Sequence, residues 1–143
     1  MRKGFSLIEL LFSLVILGLI SSAAVPAMAG IRDRYVVGSV AGSIAGAHNR
    51  ARIRAILESQ VTELEVRADS LILRVGTGGT ATAVWSAPGP LASGVSMTSP
   101  ARTLTFAPSG VTMGFANATF VVTRGGARRQ VIVSRLGRVR VIP

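Results

Sequence analysis

Residues 1–25 read MRKGFSLIELLFSLVILGLISSAAV, and this stretch decides how the rest of the chain is built. From Phe5 to Val25 there are 21 residues with one charge, Glu9. As a helix rising about 1.5 Å per residue, that length crosses a hydrocarbon core of roughly 30 Å. Arg2 and Lys3 favour a cytoplasmic N-terminus. Arg32 and Arg34 on the far flank oppose that bias, with Asp33 between them. The reading is a membrane-spanning helix over residues 5–29, with the remainder outside the cytoplasm.

Glu9 is the informative residue. A carboxylate at membrane depth costs about 2.5–3.5 kcal/mol on insertion scales, so it needs a partner. Phe5, Ser6, Phe12 and Ser13, the positions within helical reach, offer no cation. A free amine at Phe5, created by cleavage after Gly4, would supply the counter-charge to its own or a neighbouring chain. The alternative is a shallow Glu9 that snorkels to the headgroups. A rival for the whole segment is a secretory signal, because Ala27-Met28-Ala29 has the small-residue pattern of a signal peptidase site. Glu9 and the length of the run count against it, since an h-region spans only about 7–15 residues.

Gly4-Phe5-Ser6-Leu7-Ile8-Glu9 resembles the prepilin peptidase site of type IV pilins and type II secretion pseudopilins. The resemblance implies that residues 1–4 are a leader cut after Gly4, that Phe5 becomes N-methylated, and that Glu9 guides assembly. It also implies the partners: prepilin peptidase, inner-membrane lipid and other pilin or pseudopilin subunits in a filament.

Past the apolar block, Pro26 removes one helical hydrogen bond and predicts a kink. An amphipathic helix follows over residues 30–58. Its stripe is Tyr35/Val36, Val40, Ile44, Ala47, Ala51 and Ala55/Ile56, in steps of three and four. Gly38, Gly42 and Gly46 share one face, which fits either close approach of another backbone or a merely weak helix. Arg50 and Arg54 share a face offset from the apolar stripe and read as solvated, Arg52 points elsewhere, and Glu58 stands one turn beyond Arg54.

After Ser59 the period changes to two. Val61–Arg67, Leu71–Val75, Ala83–Ser86, Leu104–Ala107, Thr119–Arg124, Arg128–Ser134 and Arg138–Ile142 read as strands. Residues 76–79 and 88–90 are loops, and Gly125-Gly126 is a hairpin turn. The fold class is α+β: a long N-terminal helix on an antiparallel β-rich head, residues 59–143, in two packed sheets.

The charge is lopsided, with 16 basic residues, 6 acidic ones and a formal charge of +10. No acid follows Asp69, while Ser70–Pro143 carries eight arginines. Such a surface suits a polyanion. Cysteine is absent, and a lone His48 with few acids makes no metal site. No catalytic constellation and no cofactor motif is visible; Gly76-Thr77-Gly78-Gly79 lacks the lysine of a phosphate-cradling loop. The sequence reads as a structural subunit and not an enzyme.

Arg50-Ala51-Arg52, Phe106-Ala107-Pro108-Ser109-Gly110, Arg128-Arg129-Gln130-Val131-Ile132-Val133 and Gly137-Arg138-Val139-Arg140 occur in an order that resembles the GspH/FimT group of minor pseudopilins and pilins. The resemblance implies a low-abundance subunit near a filament tip, in type II secretion or a type IV pilus. It also implies a second reading, DNA binding in natural transformation through the C-terminal Gly-Arg-x-Arg. In an extended segment Arg138 and Arg140 project to one side. Arg124, Arg128, Arg129 and Arg135 are candidates to widen that patch. Few aromatics accompany them, so contact would be backbone-directed and salt-dependent.

Overall fold

A computed structural model of the chain describes residues 6–114 and 117–143, leaving out the side chains of residues 23–27. One helix, α1, runs from Leu7 to Glu58. It stays helical through Pro26. It closes at Ser59, whose φ of 51° is left-handed, with the Gln60 N–H donating to the Ala55 carbonyl at 3.2 Å. Glycine usually occupies such a position.

The chain divides into two compact units, residues 1–32 and 33–143. In the first, the described apolar side chains are uncovered: Leu7, Phe12, Ile16 and Leu19 are each more than half exposed. Among the described residues, no helix is long and apolar enough to cross a membrane. The expected span from Phe5 to Val25 extends beyond what is described, at Phe5 and at the side chains of residues 23–25.

The second unit carries the head, with nine strands and two antiparallel sheets among the described residues. The strands are β1 (Thr62–Val66), β2 (Ser70–Val75), β3 (Thr82–Pro88), β4 (Ser96–Met97), β5 (Arg102–Phe106), β6 (Thr112–Met113), β7 (Ala118–Arg124), β8 (Ala127–Val133) and β9 (Val139–Ile142). One sheet has the order β3-β2-β1-β5-β6 and the other β4-β7-β8-β9. Alternation sorts each strand into a buried and an outer row. Leu64, Val66, Leu71, Leu73, Leu104 and Phe106 of the first sheet, and Phe120, Val122, Val131 and Val133 of the second, join the helix stripe in one core. Fully burying side chains of this size contributes roughly 1.5–3 kcal/mol each.

The helix stripe is wider than the expected one on one side and narrower on the other. Tyr35 is 78% exposed and Ile56 45% exposed, while Val37, Ala41 and His48 are buried. Val40, Ile44, Ala47, Ala51 and Ala55 of the expected stripe are buried, so the buried face contains that stripe, extends it through Val37, Ala41 and His48, and is rich in alanine, which lets the helix lie close to the sheets. His48 is therefore a packed residue, its ring edge-on to Phe106 at 5.0 Å. Thr62 is buried too, and its hydroxyl donates to the Ala51 carbonyl at 3.0 Å. Two strands were not signalled in the sequence, β4 and β6; two-residue pairings are too short to show a period. Gly89 is a close-approach glycine: a Cβ there would lie 2.5 Å from the Ser70 nitrogen. This ties the Pro88-Gly89-Pro90 loop to the β1–β2 turn. At Gly125-Gly126 the β7–β8 hairpin turns in two residues, and Gly125 has the positive φ that such turns require.

Candidate assembly and anion-binding surfaces

Glu9 lies in the first turn of α1 and is exposed. Its N–H donates to the Ser6 carbonyl at 3.0 Å, and its own carbonyl accepts from the Ser13 hydroxyl at 2.8 Å. Its carboxylate enters no ion pair among the described residues. Gly4 and Phe5 lie outside the described residues, so the expected amine partner does too.

Further along α1, Gly38, Gly42 and Gly46 have no heavy atom within 4 Å of where a Cβ would stand. Among the described residues, no backbone from outside the helix packs on them. An open groove of about 550 Å³ continues past Gly46 along Asn49, Arg50, Ile53, Arg54, Leu57 and Glu58. Arg54 and Glu58 form the expected i,i+4 pair at 2.8 Å. Arg50 stacks over Trp85 at 5.0 Å, a cation–π contact.

Arg52, which points away from Arg50 and Arg54, has a specific partner. It is half-buried, and its Nη1 donates to the Gly137 carbonyl at 3.2 Å. Gly137 is buried with φ +70°, and a Cβ on it would lie 2.8 Å from the Gly110 carbonyl. Thr112 completes the clamp by donating its hydroxyl to the Arg135 carbonyl at 2.6 Å. The glycine of Gly137-Arg138-Val139-Arg140 is thus a packed corner where two turns meet over Arg52. Only the position of Arg52, beside buried Ala51 on the helix, hinted at this.

The six candidate arginines do not share one face. Val131 and Val133 point into the core, so alternation sends Arg128, Gln130 and Ile132 outward. Arg140 pairs with Ile132 across the sheet and stands on the same outer face. Arg138, two residues before it, is exposed where the chain enters β9. Arg128 lies about 13 Å from Ile132 along the strand. Arg124 and Arg129 fall in the inward-facing rows, at the strand ends nearest the helix. Arg124 Nε meets Asp33 at 2.9 Å, and its Nη1 donates to the Ser93 carbonyl at 2.5 Å. Arg135 is exposed on the turn that Thr112 holds.

Two titratable groups depart from their ordinary values. Burial pushes His48 below the usual imidazole range, opposed by its contact with Asn49 and aided by the nearby Arg52 charge. The hydrogen bond from Arg74, at 2.7 Å, holds Glu65 below the usual carboxylate range, with Arg67 adding to it. Among the described residues, no three His, Cys, Asp or Glu side chains are grouped to hold a metal.

Residues 1–25 match the family profile of the prokaryotic N-terminal methylation motif. Residues 40–137 match that of the type II transport protein GspH. None of the curated proteins matches the chain. The fold is similar to that of the type IV minor pilin FimU of Pseudomonas aeruginosa. In one crystal form the TM-score is 0.62 at 19% identity, covering 77% of this chain and 90% of that one. A second crystal form gives 0.58 at 18%, covering 74% and 92%. At these identities the likeness is one of fold. With a pilin fold behind a methylation motif, and a GspH match over most of the head, the chain belongs to the GspH family of minor pilins and pseudopilins.

Proposed function

We propose that this subunit is anchored in the bacterial inner membrane by residues 5–25, cleaved after Gly4, N-methylated at Phe5, and drawn into a filament through Glu9. The observation that carries the reading is the uncovered apolar stretch of α1 with one carboxylate near its start that enters no ion pair among the described residues. Uncovered apolar area on this scale needs lipid or neighbouring helices. A carboxylate within it needs a cation, and the new Phe5 amine of a neighbouring subunit is the nearest chemistry available. As a minor subunit it acts at low copy number, toward the filament tip. Gly4→Ala should abolish the size shift on leader removal by prepilin peptidase. Glu9→Ala should leave the chain in the membrane and lower its recovery in sheared filaments at least tenfold. Normal processing of the first variant removes the reading.

A second reading is favoured by the outer face of the four-stranded sheet. Arg138 and Arg140 are exposed there, and none of its strands contains an acid. On this reading the face tracks the backbone of duplex DNA, with guanidinium forks on phosphate oxygens. Filter binding of the full chain in uncharged detergent should fall steeply with salt. Arg138→Ala/Arg140→Ala should reduce the salt slope by about two. Absence of binding at low salt leaves the assembly role alone.

A further inference from the structure

Strand β3 ends the five-stranded sheet, and among the described residues it pairs only with β2. A free strand edge offers a row of N–H and C=O groups to another chain, so folds blunt their edges with short strands, charges, bulges or prolines. β4 and β6 are two residues long, and β9 carries Arg140 with Arg138 just before it. β3 has seven residues, Thr82–Pro88, and none is charged. Its guards are the register shift that leaves Val84 without a partner on β2 and Pro88 at its end. Between them, Trp85, Ser86 and Ala87 pair regularly with Leu73, Ile72 and Leu71. The Gly89 N–H donates to the Asp69 carbonyl at 2.8 Å, which sets the phase of the ladder. Trp85 and Ala87 turn their backbone groups toward β2. Ser86, which is exposed, turns its N–H and carbonyl to the free side.

The space beside that edge is open as well. Trp85 and Ala87 face Gly46, Ala47 and Arg50 of α1 across a cleft of about 270 Å³. The cleft runs into the groove along Ile53 and Leu57, since Gly46 and Arg50 line both. Ile53 and Leu57 are each more than half exposed. The side of the helix that borders β3 thus keeps apolar side chains uncovered, where the inward side chains of one more strand would lie. Gly46 leaves room for them, with no heavy atom within 4 Å of where its Cβ would stand. Arg50 supplies a charge at the same place. It is exposed, stacks on Trp85 at 5.0 Å and enters no ion pair among the described residues.

These features select the occupant. An extended chain can bond to the free backbone of Ser86, whereas a helix has already spent its backbone groups on itself. A second copy of the same edge brings no carboxylate to Arg50, because no acid follows Asp69 in the sequence.

We propose that the β3 edge and the adjoining helix groove take up an extended segment of another protein as a sixth strand, its apolar side chains turned toward Ile53 and Leu57 and a carboxylate toward Arg50. The proposal uses the head alone and does not depend on the membrane anchor. The test titrates the full chain, in uncharged detergent, with a capped peptide of about nine residues that alternates valine and threonine around one central glutamate. Amide exchange at Ser86 should slow about tenfold or more on binding, while the β9 amides keep their rates. Of two twin peptides N-methylated on alternate amides, one should bind about tenfold more weakly, having lost the donors that complete the ladder. Ser86→Pro removes an edge donor that β2 does not use. It should weaken binding about tenfold or more with β2 exchange unchanged; should this variant fail to fold, the methylated twins decide. Arg50→Glu should reverse the preference between the glutamate peptide and a lysine twin, by about tenfold. Silence toward the peptide, a helical bound peptide, equal protection of β9, or self-association that protects Ser86 without peptide would each overturn the proposal.

Discussion

In the five-stranded sheet, Glu65 holds Arg74 at 2.7 Å and also pairs with Arg67 across the same outer surface. In the four-stranded sheet, Arg128, Arg129 and Arg140 have no such partner among the described residues, where the one carboxylate that reaches that sheet in an ion pair, Asp33, comes from the helix. The interiors do not differ in this way, since both sheets contribute fully buried phenylalanines and β-branched residues to one core. The contrast has a simple origin. The last acid in the chain is Asp69, and all four strands of the second sheet begin after it. A charge gradient along the sequence becomes, through the topology, a difference between two surfaces. One surface pairs arginines with a carboxylate of its own strands, and the other, among the described residues, draws its ion pair from the helix.

The strongest test of the shared interior is Phe106→Ala beside Phe120→Ala. Each should lower unfolding free energy by about 3–5 kcal/mol in urea titrations. A cost under about 1 kcal/mol for Phe120 would mean that the second sheet is not part of the same core. Next comes Glu65→Gln, which should cost about 1–2 kcal/mol at neutral pH by unpairing two arginines on a partly exposed surface. The Arg74 hydrogen bond lowers the Glu65 value from 4.5. Its contribution is therefore complete above about pH 4.5 and disappears as pH falls through the lowered folded value. Denaturation of wild type and variant should converge in acid; a constant gap would show that the pairing is not what stabilises.

His48 sharpens the comparison beneath the paired sheet. Burial lowers its value from 6.5, so the unfolded chain takes up a proton more readily than the head does. Stability should be full above about pH 6.5 and decline toward the lower folded value, by at most about 1.4 kcal/mol per pH unit. His48→Leu should flatten that slope in thermal melts between pH 7 and 5. An unchanged slope would assign it to another group. The smallest effect is expected for Asp33→Asn, about 0.5–1 kcal/mol, because the Arg124 pair is partly exposed. It should act by loosening the hairpin turn, seen as faster amide exchange at Gly125 and Gly126 with the β1–β2 amides unchanged. Equal acceleration in both sheets would break the proposed localisation.

Much of the architecture was legible because it is written in local periods. The apolar run after Gly4, the helix end at Glu58, the switch to alternation in Thr62–Val66, and the glycine pair at the hairpin each act within a few residues. The helix stripe was read less well. Its centre, Val40 to Ala55, was read correctly, but a 3.6-residue pattern of mixed alanine and valine leaves the edges open, and the sheets added Val37, Ala41 and His48. The placement of the arginines was not legible, since counting arginines near the C-terminus said nothing about which side of a sheet each one occupies.

By itself the sequence determined the anchor-like segment, the order of helix and strands, and the confinement of acids to the first half. These depend on composition and on side-chain periods that any local stretch carries. Tertiary structure alone decided that Arg52 clamps Gly137, 85 residues away, that Arg124 is spent on Asp33, and that Arg34 joins Arg128 and Arg129 around one cleft. Strand register and helix–sheet docking set those meetings. Both are fixed by the packing of the whole core, which no local pattern encodes.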